Sequence, residues 1–348
     1  MIRVLITDDS ATSRELLSHI LSSASDIQVV GVAINGAEAV RLASALRPNL
    51  ILMDIHMPVM DGLAATQEIM MHSPTPIVLV SASTMVHETE TAMLALRAGA
   101  LTLLLKPAGP AAPNHAQTSQ ELINTVRAMA DVKVVRHHYS YSEPVLRPLK
   151  TTPSNRVPVS ICAVATSTGG PPALLKLFSA LPADFPVPIL VVQHIATGFT
   201  DGLANWLDSN LALTVKVAEM GERLRPGTIC LAREDHHLGV ARDGTVLLSR
   251  AAAIEGFRPS ATFLFRSVAE VYGNRTLALI LTGMGRDGVE GLRKVHQSGG
   301  TIFAQDEASC VVFGMPGAAV AEDLADQILP LDRMAKALLA RTTNIVSK

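Results

Sequence analysis

Two groups of residues in this 348-residue chain have the types that chemistry requires. The first is Ser167, His194 and Asp287, each just beyond an aliphatic run: Ser167 in "ATSTGG" after "VSICAV", His194 after "VPILVVQ", and Asp287 in "LTGMGRDG" after "RTLALI". A serine hydroxyl attacks a carbonyl only when a base takes its proton, an imidazole does this near pH 7, and a carboxylate orients that imidazole and stabilises its charged form. The set suits acyl transfer. The second group is Asp8, Asp9, Asp54, Ser81 and Lys106, again at the ends of short aliphatic runs. Three converging carboxylates repel one another unless a cation joins them, and oxygen ligands on a small site favour Mg²⁺. Lys106 supplies a second positive charge there.

Taken singly, each residue has a plainer reading. "TSTGG" after a strand also suits an anion-binding turn at a helix N-terminus. His194 suits a hydrogen-bonded loop, and Asp287, Asp9 and Asp61 suit helix caps. Cys310 and Met284 read as core or turn residues, and His137 with His138 as a solvated pair without a role. Joint placement on successive strand ends raises catalysis above these readings. Gly169 and Gly170 let the backbone pass close to a ligand, and Pro171 fits the first turn of a following helix, leaving free amides for a tetrahedral oxyanion. Amides of "TGMG" at 282–285 add further donors. The order Ser, His, Asp and the presence of Ala165 in place of the first glycine of G-x-S-x-G exclude an α/β-hydrolase elbow.

These positions require parallel sheets, because open α/β sheets gather chemistry at the carboxyl ends of their strands. Runs at "IRVLI", "IQVVGVA", "NLILM", "PIVLV" and "LTLLL" alternate with segments of helical spacing, which predicts a five-stranded, doubly wound parallel sheet. A second alternation follows from "VSICAVA" onward and predicts a second doubly wound α/β domain. The boundaries read as 1–130, a linker at 131–157 rich in turn residues, and 158–348. Hydrophobic residues make up 48% and aromatics 3%, so the cores are expected to be aliphatic rather than built from rings. With 29 basic against 31 acidic residues and no basic stripe, nucleic acid is not an expected partner. Cys162, Cys230 and Cys310 are scattered, without zinc spacing or a disulfide framework. Early aspartates exclude a signal-peptide core and no apolar run reaches membrane-spanning length, so a cytoplasmic protein without membrane insertion is expected.

The first region resembles the receiver domain of bacterial response regulators, in "DDS" at 8–10, "DIHMPVMDG" at 54–62, Ser81 with Ala82, and "KP" at 106–107. The resemblance implies Asp54 as phospho-acceptor, Asp8 and Asp9 as further Mg²⁺ ligands, and Ser81 and Lys106 as phosphoryl contacts. Leu103 departs from it, standing where an aromatic switch residue is usual. Nearly the whole chain resembles the chemotaxis protein-glutamate methylesterases, through "STGG" at 167–170, "QH" with "GFT" at 193–200, "RPS" at 258–260, "LTGMGRDG" at 281–288 and "AQDEASCVVFGMP" at 304–316. That resemblance implies Ser167 as nucleophile, His194 as general base and acid, Asp287 as orienting carboxylate, an oxyanion amide from Met284, and support from Thr168, Gly169 and Gly170. It implies no cofactor for the esterase chemistry, methyl-accepting chemoreceptors as substrates, methanol as product, deamidation of some receptor glutamines, and a histidine kinase as phosphodonor. Ala196 and Thr197 replace two usual prolines, and "ARE" at 232–234 replaces a usual "APG".

Overall fold

The structure is a computed structural model that describes residues 1–82, 86–132, 134 and 157–342. Contacts divide the chain into two compact units, Met1–Tyr141 and Ser142–Lys348. The linker at 131–157, with His137 and His138, falls almost wholly outside the described residues.

The first unit alternates β1 (Ile2–Thr7), α1 (Ala11–Ser22), β2 (Ile27–Ala33), α2 (Gly36–Leu46), β3 (Leu50–Asp54), α3 (Gly62–His72), β4 (Ile77–Ser81), α4 (Val86–Arg97), β5 (Thr102–Leu105) and α5 (His115–Ala130). Its sheet is parallel, in the order β2-β1-β3-β4-β5. Every residue of β3 and β4 is buried, as unbroken aliphatic runs require when both sheet faces are covered. Short polar side chains start the helices: Ser10 caps α1, Asn35 caps α2 and Asp61 caps α3, each accepting a backbone N–H of the first turn. Asp61 is thus a cap, whereas Asp9 is not, which leaves Asp9 free for other work.

The second unit runs β6 (Ile161–Thr166), α6 (Gly170–Phe178), β7 (Ile189–Gln193), α7 (Thr200–Asn210), β8 (Thr214–Val217), β9 (Thr228–Leu231), β10 (His237–Val240), β11 (Val246–Ser249), α8 (Ala261–Tyr272), β12 (Thr276–Ile280), α9 (Val289–Gln297), β13 (Thr301–Gln305), α10 (Met315–Ala321), β14 (Gln327–Leu329) and α11 (Leu331–Thr342). Seven strands form one parallel sheet, β14-β13-β12-β6-β7-β9-β8, and β10 with β11 makes an antiparallel hairpin packed on α8. Winding proceeds outward from β6 through β7, then returns to β12 on the other side of β6. That reversal opens a crevice at the carboxyl ends of β6 and β12. The aliphatic-core expectation holds for the first unit, which has neither Phe nor Trp, but the second unit fully buries Phe178, Phe185, Phe199, Phe265 and Phe303. A whole-chain percentage hides this segregation. No helix among the described residues is long and apolar enough to cross a membrane.

Candidate active site

In the first unit, β1 and β3 deliver Asp8 and Asp54 to one edge, both buried, and Asp9 joins them so that one oxygen from each lies within 4.8 Å of the others. Lys106, just past β5, reaches across with Nζ at 2.7 Å from Asp8 Oδ2 and 3.0 Å from Asp54 Oδ2. Asp8 is further satisfied by the Ser10 N–H at 2.9 Å and the Ser13 hydroxyl. Among the described residues, Asp54 accepts only the Ile55 N–H at 2.9 Å besides the lysine. Burial therefore dominates at Asp54 and raises its pKa above the ordinary carboxylate value, although Lys106 pulls the other way. At Lys106 burial opposes the charge, yet the hydrogen bonds to Asp8 and Asp54 outweigh it and raise the pKa. Ser81 ends β4 and its carbonyl accepts the Lys106 N–H, so serine and lysine share this edge. Leu103 is buried within β5.

In the second unit, β6 and β7 lie side by side and deliver Ser167 and His194. The His194 N–H donates to Thr166 O at 3.0 Å, and the Gln193 amide donates to both Ser167 O and His194 O, tying the two backbones together. His194 Nε2 is 3.0 Å from Asp287 Oδ2. Its Nδ1 is buried and has no hydrogen-bond partner among the described residues. The imidazole is thus held at one nitrogen and bare at the other. Its face stacks on Phe257, with centroids 4.2 Å apart and planes at 9°.

Asp287 is nearly fully buried and saturated with donors. It accepts the Ser260 hydroxyl at 2.7 Å, the Ala261 N–H at 2.7 Å and the Thr262 N–H at 3.1 Å. Burial alone would raise its pKa, but His194, Ser260 and the Ala261 amide outweigh burial and hold it at about 2. The carboxylate occupies the N-terminus of α8, whose own cap residue, Ser260, turns its hydroxyl to Asp287 instead of to the helix. Asp287 does meet a helix N-terminus, although that helix is α8 and not α9, which starts after Gly288, and the same carboxylate holds His194. His237 backs this arrangement, accepting the Ser260 N–H at Nδ1.

The turn bearing Ser167 is pinned to β12. Ser167 N–H donates to Thr282 O at 3.0 Å, and Thr166 Oγ1 donates to the same oxygen at 2.9 Å. The Thr282 hydroxyl in turn meets Thr168 O and the Val311 and Val312 amides. Gly169 has φ +76° and faces Val311, so a side chain there would be both strained and crowded. A Cβ at Gly170 would fall 1.9 Å from Gln193 Oε1 and would displace the side-chain amide whose Nε2 clamps the turn. Met284 follows Gly283, which packs against Ser167, and among the described residues no backbone hydrogen bond engages the Met284 or Gly285 N–H. Those amides are available to an oxyanion. Cys310, half-buried nearby, has its thiol pushed up to about 12 by burial, which leaves it protonated and inert at neutral pH.

The profile of the CheB methylesterase family matches residues 162–338, and that of the response regulator receiver domain matches residues 4–115. The chain belongs to the CheB methylesterase family. It is a methylesterase that carries a response-regulator receiver domain. It is 52% identical to protein-glutamate methylesterase/protein-glutamine glutaminase 4 of Myxococcus xanthus, over 97% of this chain and 96% of that protein. The protein-glutamate methylesterase/protein-glutamine glutaminase of Nitrosospira multiformis is 44% identical, covering 100% of this chain and 98% of the relative. The crystal structure of the CheB methylesterase catalytic domain of Thermotoga maritima matches with TM-score 0.51 and 44% identity, over 53% of this chain and 99% of that one.

Sequence reasoning places Ser167, His194 and Asp287 just past strand ends, and the structure brings His194 and Asp287 into contact beside the Ser167 turn. It assigns no task to Ser260, Phe257, Gln193 or Glu234, and it offers the Thr282 and Gly283 amides as oxyanion donors, whereas they donate to Gln305 Oε1 and Val312 O. "RPS" is visible as a motif, and a serine before a helix reads as an ordinary cap, so only the fold shows Ser260 serving Asp287. Phe257 carries no sequence signal, because a lone aromatic in a loop has no periodicity. Glu234 sits in the departing "ARE" turn, and its carboxylate accepts the Gly198 N–H at 2.6 Å. A side-chain bond there holds the loop in which Ala196 and Thr197 replace prolines.

Proposed function

We propose that the second unit hydrolyses glutamate methyl esters on the cytoplasmic helices of chemoreceptors, and deamidates receptor glutamines, with Ser167, His194 and Asp287 as its catalytic residues. The observation that carries this is the imidazole of His194, held by Asp287 through Nε2 and bare at Nδ1, on a backbone clamped by Gln193 to that of Ser167. His194 Nδ1 takes the proton as Ser167 Oγ attacks the ester carbonyl. The Met284 N–H, with support from the turn at Thr168, Gly169 and Gly170, receives the negative oxygen. The C–O bond breaks, His194 returns the proton, and methanol leaves an acyl-serine. Water then gives its proton to His194 and attacks the acyl carbon, which releases glutamate and restores Ser167. A glutamine substrate follows the same path with ammonia as the leaving group. Asp287 keeps the imidazole in the tautomer with hydrogen on Nε2 and balances its transient charge.

Asp54 is the phospho-acceptor in this reading, and a chemotaxis-type histidine kinase its phosphodonor. The fit of Mg²⁺ to Asp8, Asp9 and Asp54 rests on three carboxylate oxygens within 4.8 Å and on a buried Asp54 whose charge is incompletely balanced. The ion supplies charge neutralisation at the phosphoryl group. Lys106 and Ser81 contact the added oxygens, and the lysine must loosen its grip on Asp54 to do so, which makes this edge responsive to phosphorylation. The esterase chemistry itself uses no cofactor, and the setting is the cytoplasm.

The test is methanol release from methylated receptor membranes by wild type, Ser167→Ala and Asp54→Ala, with and without a small-molecule phosphodonor and Mg²⁺. Ser167→Ala is expected to lose roughly 10⁶-fold in turnover. Asp54→Ala is expected to keep basal release and lose all stimulation. Equal release by wild type and Ser167→Ala would overturn the nucleophile assignment.

A further inference from the structure

The turn after β9 and the end of β11 enclose a groove of about 610 Å³ lined by Glu219, Met220, Arg233, His236, Leu248 and Arg250. Two residues adjacent in sequence to its arginines are tied to the segments that flank His194. Glu234, next to Arg233, holds Gly198 in the loop that follows His194. Arg258, next to the Phe257 that stacks on His194, donates to the carbonyl of Ala251 beside Arg250.

Charge in the groove is unbalanced. Arg258 takes up Asp235, with Nε at 2.9 Å from Oδ1, and Glu219 faces Lys216. Arg233 and Arg250 are exposed and have no ion-pair partner among the described residues. Arg250 Nε meets His236 Nε2 at 2.9 Å, and His236 Nδ1 lies 2.8 Å from Glu234 O. Since an arginine only donates, Nε2 must accept and Nδ1–H must point at the carbonyl, so the ring is a neutral prop that aims the guanidinium. Met220 and Leu248 supply apolar surface beside the two cations. Such a groove suits a segment with carboxylates on an apolar backing, because guanidinium forks match carboxylates two bonds at a time.

We propose that Arg233 and Arg250 form a subsite for acidic residues flanking the glutamate that is processed, so that this chain selects glutamate-rich segments of its protein substrate. The proposal rests on the esterase reading above. The chemistry is self-consistent, since every completed turnover of a neutral ester or amide leaves another carboxylate on the segment. The departure "ARE" then has two tasks, with Glu234 fixing the histidine loop and Arg233 reading the substrate.

The test compares the full chain with Arg233→Glu, Arg250→Glu and the pair. The substrates are a short synthetic peptide with one glutamate methyl ester flanked by glutamates, the same peptide flanked by glutamines, and p-nitrophenyl acetate. Each reversal is expected to raise KM for the glutamate-flanked peptide about tenfold at low salt, with kcat unchanged. The glutamine-flanked peptide and p-nitrophenyl acetate are expected to stay within about twofold, and the effect to vanish near 1 M salt, where charges are screened within ~3 Å. Arg→Gln at either position is expected to give a smaller loss of the same kind.

Equal losses on both peptides, or no loss on either, would overturn the subsite. So would a rise in p-nitrophenyl acetate turnover by the unphosphorylated variants, which would assign the groove to the receiver. If wild type turned over none of the esters, the triad reading would fail by itself. Fluorescence anisotropy of the labelled glutamate-flanked peptide would still decide the groove: tighter binding by wild type than by the pair supports it, and equal binding overturns it.

Discussion

Asp54 and Asp287 are both buried carboxylates at the carboxyl edge of a parallel sheet, and their surroundings push them in opposite directions. Asp287 is met by Ser260, two helix amides and His194, and sits at about 2. Asp54 has one amide and a lysine it shares with Asp8, and burial raises it. Fixed dipoles already in place make a charge permanent, whereas a shared mobile cation leaves it exchangeable. Permanence suits a group that orients an imidazole through every turnover. Exchangeability suits a group that gains and loses a phosphoryl.

The contrast breaks hardest at Asp287. Asp287→Asn is expected to lower methanol release about 10⁴-fold, since an amide can favour the wrong imidazole tautomer. Release within tenfold of wild type would mean that Asp287 does not orient His194. Next in size, Lys106→Met leaves Asp8 and Asp54 buried without their cation and is expected to destabilise the receiver by about 3 kcal/mol at pH 7. Because the pKa of Asp54 is already raised, that loss should shrink as pH falls and Asp54 protonates. Millimolar Mg²⁺ should restore part of it. Urea unfolding across pH reads both effects, and a loss indifferent to pH and Mg²⁺ would undo the account of a shared cation.

A smaller effect concerns the charge on Asp287. A lowered pKa contributes stability that is full above the unfolded value of about 3.9 and is lost as pH falls through the folded value of about 2. Wild type should therefore exceed Asp287→Asn by about 2 kcal/mol at pH 6, with the gap closing between about pH 4 and pH 2. A constant gap would show that packing, not charge, separates them. Smallest is Phe257→Leu, expected to lower kcat about threefold to tenfold with KM unchanged, while Phe257→Tyr keeps the stack and the rate. A larger loss in KM than in kcat would move Phe257 from the histidine to substrate contact.

Much of this was legible because strand ends carry chemistry in parallel sheets. Asp54, Ser81 and Lys106 could each be found as the first polar residue after an aliphatic run, and Asp8, Ser167 and His194 as the second. The shell around them could not. Ser260 and Asp287 are 27 residues apart, and Glu234 and Gly198 are 36 apart. Neither pair shares an element, so no periodicity links them.

By itself the sequence determined two alternating α/β units, the edges at which polar residues emerge and the residue types available for acyl and phosphoryl transfer, because these follow from period and local propensity. Only the tertiary structure decided that α8 would place its N-terminus on Asp287, that Phe257 would cover the imidazole, and that Arg233 and Arg250 would meet in one groove without an ion-pair partner among the described residues. The physical reason is that helix packing and loop closure bring together groups distant in the chain, and the energy of a buried charge depends on which groups arrive.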